Sequence, residues 1–199
     1  MRPSDSKVKL SRRIGIPLTR KASKSMERKP GAPGMHRSRF GRKLSDYGKQ
    51  LLEKQRLRYQ YNLNDRKLRN YYLKASGKSG NTTDNLIQAI ESRLDALVLR
   101  AGLAPTIYAA RQLVTHGHIK VNTRRVTIAS YNVKPGDTIS VKDKSRSMDL
   151  IRNAVKDAED VPYLAVDREQ LTAAYTRLPE IEEVPVVAEI AVVVEYYSK

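Results

Sequence analysis

Residues 93–137 read RLDALVLRAGLAPTIYAARQLVTHGHIKVNTRRVTIASYNVKPGD, and this stretch has the clearest pattern of helices and strands in the chain. Its apolar residues lie first at helical spacing and then alternate, which predicts two helices followed by short strands. Gly102 follows the first apolar stripe and Gly117 follows the second, at positions where helices commonly end. Pro135-Gly136-Asp137 is typical of a turn between strands. The stretch therefore predicts a helical hairpin joined to a small antiparallel sheet.

The residues around this stretch extend it into an α/β domain that we expect to cover residues 82–199. Thr83 is the expected cap of the first helix, which should run unbroken to Gly102, and Thr106 is expected to start the second. Strands are expected at 119–122, 126–128 and 138–141, and a further helix after Ser147. Beyond residue 161 the chain has apolar, β-prone runs interrupted by prolines.

Polar side chains of varied geometry are concentrated on one side of this domain. Arg can hold a phosphate through two N–H donors, and Gln or Asn can reach a base edge or a 2′-hydroxyl. The candidate nucleic-acid contacts here are Arg100, Arg111, Gln112, His116, His118, Lys120, Asn122, Arg124 and Arg125. The alternative interpretation is an ordinary helical hairpin with a solvated polar face.

Positive charge is concentrated in the first two fifths of the chain. The 199 residues include 38 Lys or Arg and 21 Asp or Glu, a net charge of +17. Residues 1–80 contain 23 basic and 5 acidic side chains, whereas residues 161–199 contain 3 and 7. Because a surface that only maintains solubility intersperses both signs, this asymmetry favours a bound polyanion, most often nucleic acid.

The composition excludes several other classes. The absence of cysteine excludes disulfides, cysteine–zinc sites, iron–sulfur clusters and thiol nucleophiles. The longest apolar run, residues 190–194, is too short to cross a bilayer, so we expect a cytoplasmic protein with no membrane partner. His116 and His118 have only His36 as a third histidine, which disfavours a metal site. We predict no metal and no cofactor.

Residues 1–45 are predicted to form an irregular basic extension. Four prolines and four glycines interrupt any helical or strand period, and basic residues fill the intervals. We expect this extension to be disordered alone and to fold on RNA. The alternative is a small ordered domain held by Leu10, Ile14, Ile16, Leu18 and Met26. The candidate RNA contacts in the extension are Arg12, Arg13, Lys21 and Arg37.

Residues 46–81 are predicted to form a small helical domain, onto which the extreme C-terminus is expected to pack. One helix should run from Ser45 to about Tyr61, and a second should begin after Asn64 and end at Gly77. Tyr71 and Tyr72 lie on the apolar stripe of the second helix, which favours packing in the core over stacking on bases. The candidate RNA contacts in this domain are Tyr47, Lys49, Arg56, Arg58, Arg66 and Arg69.

Short motifs, in order along the chain, resemble the αL RNA-binding motif over residues 93–141. They are Arg93-Leu94-Asp95, Arg100-Ala101-Gly102, ARQLV at 110–114, HGHI at 116–119, Val121-Asn122, IASY at 128–131 and Gly136-Asp137. Further motifs resemble the bacterial small-subunit ribosomal protein number four family. They are PGMH at 33–36, KLSDYG at 43–48, Glu53-Lys54-Gln55, Gly80-Asn81-Thr82 and VEYYSK at 194–199.

The resemblance, which runs nearly end to end, implies an α+β fold and a non-enzymatic protein. Its expected partner is small-subunit ribosomal RNA, which the family binds as a primary protein that helps nucleate subunit assembly. The resemblance also implies a position where messenger RNA enters, with Arg39, Arg42 and Lys43 as candidate messenger contacts. A role in decoding accuracy is implied through neighbouring small-subunit proteins, notably number five, with the acidic C-terminal part as the candidate surface.

This chain departs from the family in two respects. Many members hold zinc through N-terminal cysteines, which this chain lacks. Residues 178–191 match the family only loosely, which leaves the contacts of that segment open.

Two other functional classes remain open on the residues alone. Arg93-Leu94-Asp95 resembles the catalytic motif of pseudouridine synthases, some of which carry an αL domain. Because Asp95 falls inside a predicted helix, we interpret it as structural, holding an Arg in place. The other class is a basic DNA-binding protein that uses residues 84–116 as a helix-turn-helix. Competition between duplex DNA and structured RNA would separate this class from an RNA-binding protein.

Overall fold

The computed structural model describes residues 6–34, 44–156 and 158–198. The described residues contain nine α-helices and a five-stranded antiparallel sheet, which confirms the predicted α+β class. The chain divides into two compact units. We call Met1–Tyr72 together with Val186–Lys199 the N-terminal unit, and Leu73–Pro185 the central unit.

Short polar side chains cap several of the helices. Five helices lie wholly or partly in the N-terminal unit. They are α1 (Lys7–Ile14), α2 (Arg20–Arg28), α3 (Asp46–Gln60), α4 (Asp65–Ser76) and α9 (Ile190–Ser198). Ser45 caps α3 by accepting the N–H of Gly48, and Asn64 caps α4 by accepting the N–H of Lys67 at 2.8 Å. The helices predicted to follow Ser45 and Asn64 are confirmed.

The prediction of an irregular conformation throughout residues 1–45 is wrong for the segments that form α1 and α2. Leu10 and Ile14 lie four residues apart on one face of α1, and both are buried together with Ile16 and Leu18. The Ser11 hydroxyl accepts the N–H of Leu18 at 3.0 Å and fixes the turn between the helices. The alternative of a small ordered domain fits this arrangement, because the prolines and glycines within residues 6–34 lie outside the two helices. Met26 is only half-buried.

The C-terminal residues 190–198 are helical, which corrects the prediction of β-prone runs in this segment. Ile190 and Val193 are buried in the N-terminal unit, where α9 packs against α3. The N–H of Glu189 donates to the Glu53 carboxylate at 3.0 Å and holds the start of α9 beside α3. Packing and hydrogen bonding thus outweigh the weak helix propensity of the valines.

The central unit contains the remaining elements. They are α5 (Thr82–Glu91), α6 (Leu94–Arg100), α7 (Ile107–Thr115), β1 (Ile119–Val121), β2 (Arg124–Arg125), β3 (Thr138–Val141), α8 (Asp149–Lys156), β4 (Leu164–Asp167) and β5 (Thr172–Tyr175). The sheet order is β2-β1-β3-β5-β4. Lys120 pairs with Arg125 across β1 and β2, and Ile139 pairs with both Val121 and Ala173.

Three predicted boundaries in the central unit are wrong. Asn81, not Thr83, caps α5, because the Asn81 side chain accepts the N–H of Thr83 at 2.9 Å. The helix expected to run unbroken to Gly102 is interrupted between α5 and α6, where Arg93 leaves the helical conformation and pairs with Asn132. Residues 126–128 are not a strand, since the second strand ends at Arg125.

Candidate nucleic-acid interface

The break between α5 and α6 is held by a buried ion pair. Arg93 Nε donates to Asp95 Oδ1 at 2.9 Å and Arg93 Nη2 to Oδ2 at 2.5 Å, and the two side chains are 1% and 0% exposed. Burial raises the pKa of Asp95, while the charges of Arg93 and Arg111 oppose that rise. This geometry gives Asp95 the structural role that its position in the sequence indicated.

Backbone hydrogen bonds tie the start of α6 to the loop before β3. The N–H of Leu94 donates to the carbonyl of Tyr131 at 2.9 Å, and the N–H of Asp95 to that of Ala129 at 3.1 Å. The N–H of Val133 in turn donates to the carbonyl of Ser92 at 2.9 Å. The loop is therefore fixed relative to the helices, and it presents Ile128 and Tyr131 at the surface.

A second buried polar cluster surrounds Glu91. Its carboxylate accepts from Arg100 Nη2 at 2.8 Å and from the Tyr163 hydroxyl at 3.4 Å. Burial raises the pKa of Tyr163, and the neighbouring Glu91 charge adds to the rise. The side chain of Arg100 is only 12% exposed, so it belongs to the internal framework. Its predicted contact with RNA remains a prediction.

Helix α7 presents part of the predicted RNA surface. Thr106 caps this helix by accepting the N–H of Ala109 at 3.2 Å. Gln112 and His116 are exposed and lie four residues apart, which places them on one face of the helix end. Arg111 is half-buried and lies close enough to Asp95 for its charge to affect the pKa of that carboxyl. The structure thus brings these three predicted residues onto one region of α7.

The turn between β1 and β2 is latched by Asn122, which adopts a φ of 55°. Its side-chain amide donates to Asp137 Oδ1 and its carbonyl oxygen accepts the N–H of Thr138, both at 2.9 Å. The N–H of Lys134 and then the Asn122 amide hold the pKa of Asp137 below its ordinary value. Asn122 therefore fixes the turn that exposes Arg124 and Arg125.

Two further predicted residues are tied to the segment after β3. His118 Nδ1 lies 2.9 Å from the Ser145 hydroxyl, and Lys120 Nζ lies 3.2 Å from Asp143 Oδ2. Both side chains are half-buried, and the rings of His118 and His116 have centroids 6.1 Å apart. Their contacts orient the two side chains beside the end of α7.

In the N-terminal unit, α2 presents a cationic face that the sequence analysis did not single out. Arg20, Lys24 and Arg28 recur every four residues, a spacing that places them on one face once the segment is helical. A pocket of about 560 Å³ is lined by Arg20, Lys21, Lys24, Ser25, Arg28 and Lys29. The missed signal was the four-residue period, which was hidden by the expectation of an irregular extension.

The other predicted residues of the N-terminal unit fall into two groups. Arg13, Arg66, Arg69 and Tyr47 are exposed, and the Tyr47 ring centroid lies 5.9 Å from that of Tyr196. The second group already has internal partners. Arg12 donates to Gly31 O, Lys49 pairs with Asp46, Arg56 bonds Glu53 and Ile14 O, and Arg58 pairs with Asp65.

Four candidates, Arg37, Arg39, Arg42 and Lys43, lie outside the described residues. Within the ranges that are described, no group of three His, Asp or Glu side chains is placed to hold a metal ion. In the same ranges, no helix is both long and apolar enough to cross a membrane.

Two known protein families match this chain, one in its first part and one in its middle. Residues 2–91 match the family described as ribosomal protein S4/S9 N-terminal domain, and residues 92–139 match the S4 domain. The small ribosomal subunit protein uS4 of Geobacillus thermodenitrificans is 48% identical over 192 residues, which covers 96% of each chain. The uS4 protein of Thermobifida fusca is 44% identical over 203 residues and covers both chains completely.

The S4 domain match coincides with the expected αL motif and confirms the resemblance seen in the sequence. It coincides with α6, α7, the β1–β2 turn and the loop before β3, where the exposed donors of the central unit lie. The alternative of an RNA-modifying enzyme is overturned, since the relatives are structural ribosomal proteins. The chain belongs to the uS4 family of small ribosomal subunit proteins, which are not enzymes.

Proposed function

We propose that this protein is a ribosome-bound, cytoplasmic component of the small subunit that binds ribosomal RNA directly. The observation that carries the proposal is the surface formed by α7 and the β1–β2 turn. Within the described part of the chain, the side chains of His116, Arg124 and Arg125 make no hydrogen bond or ion pair, although a rigid framework holds their backbone. Exposed donors on a fixed backbone suit recognition of a folded, polyanionic RNA.

The N-terminal unit supplies a second, more heavily charged contact. The cationic face of α2 and the exposed Arg13, Arg66 and Arg69 belong to the part of the chain that holds most of the basic excess. Such groups neutralise phosphates and release counterions without reading sequence. The unit therefore contributes affinity, while the central unit contributes placement.

This protein also binds early in assembly and helps nucleate the subunit. Both RNA-facing surfaces are built from its own residues, so no second protein is needed to complete either of them. An early binder requires such autonomy, because it meets ribosomal RNA before other proteins have shaped it. The corresponding test is binding to protein-free ribosomal RNA.

The finer parts of the proposal concern messenger RNA and decoding accuracy. Arg39, Arg42 and Lys43 are basic residues close together in the sequence, a charge pattern suited to contact messenger RNA where it enters. Near the C-terminus, Leu178 and Ile181 are exposed beside the acidic side chains of Glu180 and Glu182. This mixed apolar and acidic surface suits a neighbouring small-subunit protein, notably number five, through which the chain influences accuracy.

Filter binding to small-subunit ribosomal RNA across a salt series tests the main proposal. If about ten basic groups meet phosphates, log K against log[salt] should slope by about −7 to −9. A slope shallower than about −2 would contradict binding through phosphates. Equal competition by duplex DNA would favour the helix-turn-helix alternative over RNA. If the protein failed to co-sediment with small subunits, its proposed role in the ribosome would be excluded.

A further inference from the structure

The side chain of Arg125 lies directly over the backbone of Gly117, at the end of α7. A Cβ placed on Gly117 would lie 2.1 Å from Arg125 Nε and 2.4 Å from Nη2. Carbon and nitrogen atoms do not approach this closely without a bond, so any side chain at residue 117 would displace the guanidinium. Only glycine leaves room for Arg125 in this position.

Arg125 is not held there as a cap for the helix. The carbonyls of Gln112, Leu113 and Val114 already accept the N–H groups of residues 116–118 at 2.9–3.0 Å. Within the described residues, the Arg125 guanidinium makes no hydrogen bond or ion pair. The guanidinium therefore lies against Gly117 while its N–H donors remain available.

The charges around Arg125 make this placement unfavourable without a bound anion. Lys120 lies directly opposite Arg125 in the β1–β2 register, and like charges facing each other across strands are destabilising. Asp143 is 3.2 Å from Lys120 Nζ, but it also lies 3.2 Å from Arg146 Nη2, so its single charge is shared between two cations. The negative end of the α7 dipole attracts Arg125 weakly. A phosphate beside Arg125 would relieve the repulsion and satisfy the free donors.

We propose that Gly117 is a positioning residue that allows Arg125 to lie over the end of α7, where Arg125 binds one phosphate of the ribosomal RNA. This inference rests on the proposed function, since it assigns one contact within the RNA-binding surface. It assigns to Gly117 a role beyond ending the helix, because its lack of a Cβ creates the space that the arginine occupies.

The test uses the full-length chain and small-subunit ribosomal RNA transcribed in vitro. Arg125→Ala should weaken binding by about tenfold, as expected for one charge-assisted contact, and should reduce the salt slope by about 1. Gly117→Ala should produce the same two changes, because the new methyl group pushes the guanidinium aside. The double variant Gly117→Ala with Arg125→Ala should bind no more weakly than either single variant.

Gly136→Ala is the matched control. Gly117 and Gly136 have φ values of 74° and 94°, so an alanine is strained at either position, but nothing lies within 4 Å of a Cβ on Gly136. We expect Gly136→Ala to lose some thermal stability while it retains affinity and salt slope. Equal losses of affinity in Gly117→Ala and Gly136→Ala, or additive losses in the double variant, would overturn the proposal.

If Gly117→Ala fails to fold, Arg125→Lys tests whether the guanidinium of Arg125 is positioned to bind a phosphate. Two-donor binding of a phosphate requires the planar guanidinium, which lysine lacks. Arg125→Lys should therefore bind nearly as weakly as Arg125→Ala. If Arg125→Lys binds as tightly as the unsubstituted chain, the proposed positioning of the guanidinium over Gly117 is wrong, and Arg125 contributes only its positive charge. Absence of RNA binding by the unsubstituted chain would instead contradict the proposed function itself. If Arg125→Ala binds RNA as tightly as the unsubstituted chain, only the proposed roles of Gly117 and Arg125 are contradicted.

Discussion

The two units display positive charge in different ways. In the N-terminal unit, α2 repeats Arg20, Lys24 and Arg28 on one exposed helical face, and its buried residue is the small, apolar Ala22. In the central unit, fewer basic groups stand on a backbone fixed by the buried pair of Arg93 and Asp95. The first arrangement maximises charge density, and the second fixes the position of individual donors.

The two surfaces should therefore tolerate different substitutions. A surface that acts through charge density should accept Lys in place of Arg, because both carry one positive charge. A surface that acts through placement should not, because Lys lacks the planar fork, and it should depend on buried residues that never meet RNA. Substitutions in each unit can therefore test this division.

Removal of the buried carboxylate should give the largest effect. Asp95→Ala removes the carboxylate that accepts two hydrogen bonds from the buried Arg93 guanidinium, which should lower the free energy of unfolding by about 3–5 kcal/mol. Urea denaturation measures this change. The control is Asp143→Ala, which removes the exposed partner of Lys120 and should change stability little. Equal effects would mean that the buried framework is no stronger than a surface ion pair.

Neutralisation of the α2 face should give the largest effect on RNA binding without loss of folding. With Arg20, Lys24 and Arg28 all changed to Gln, the salt slope should become shallower by about 2–3, since three phosphate contacts are lost. Filter binding at several salt concentrations provides the measurement. The control, Arg20→Lys with Arg28→Lys, should retain the slope and the affinity of the unsubstituted chain. An unchanged slope in the triple variant would show that α2 does not face RNA.

A single substitution on α7 should affect affinity less than the triple variant but more specifically. Arg111→Ala should weaken RNA binding by about 1–3 kcal/mol if Arg111 makes a charge-assisted contact. Arg111→Lys should lose most of the same binding energy, in contrast to the conservative changes in α2. If Arg111→Lys binds as tightly as the unsubstituted chain, the central unit also acts through charge alone, and the division between the units fails.

The sequence predicted the elements whose signals are local. Ser45, Asn64 and Thr106 cap helices as expected, because an N-cap depends on a residue and its next few neighbours. The break between α5 and α6 was not predictable in this way. Leu94 continues the apolar period of α5, and the interruption arises from the pairing of Arg93 with Asn132, which is distant in sequence.

The candidate site shows the same limit. Sequence patterns identified the residue types of the central surface, including Arg111, His116 and Arg125. They gave no indication that Arg125 would lie over Gly117, because that contact depends on how the β1–β2 hairpin folds back on α7. In the N-terminal unit, helix α9 formed against its local propensity because Ile190 and Val193 are buried. Tertiary contacts decided all of these cases.

Several cations of the N-terminal unit are held by carboxylates, and one of these pairings provides the smallest predicted effect. Asp65 lies between Lys54, whose Nζ is 2.8 Å from its Oδ1, and Arg58. Partial burial raises the pKa of Asp65, but hydrogen bonds and charges from Lys54 and Arg58 outweigh burial and hold it below the ordinary value. Arg58 is therefore positioned by a carboxylate, as Lys120 of the central unit is.

This pairing predicts a small dependence of stability on pH. Because the pKa of Asp65 is lower in the folded state, its contribution to stability is present above the unfolded value of about 3.9 and is lost as pH falls through the folded value. Urea unfolding of the unsubstituted chain and of Asp65→Asn should differ most near pH 6 and converge near pH 2. Asp149→Asn, at an exposed position, serves as the control and should follow the unsubstituted chain. A difference independent of pH would show that the side chain of residue 65 acts through packing, so that Arg58 is not positioned by charge.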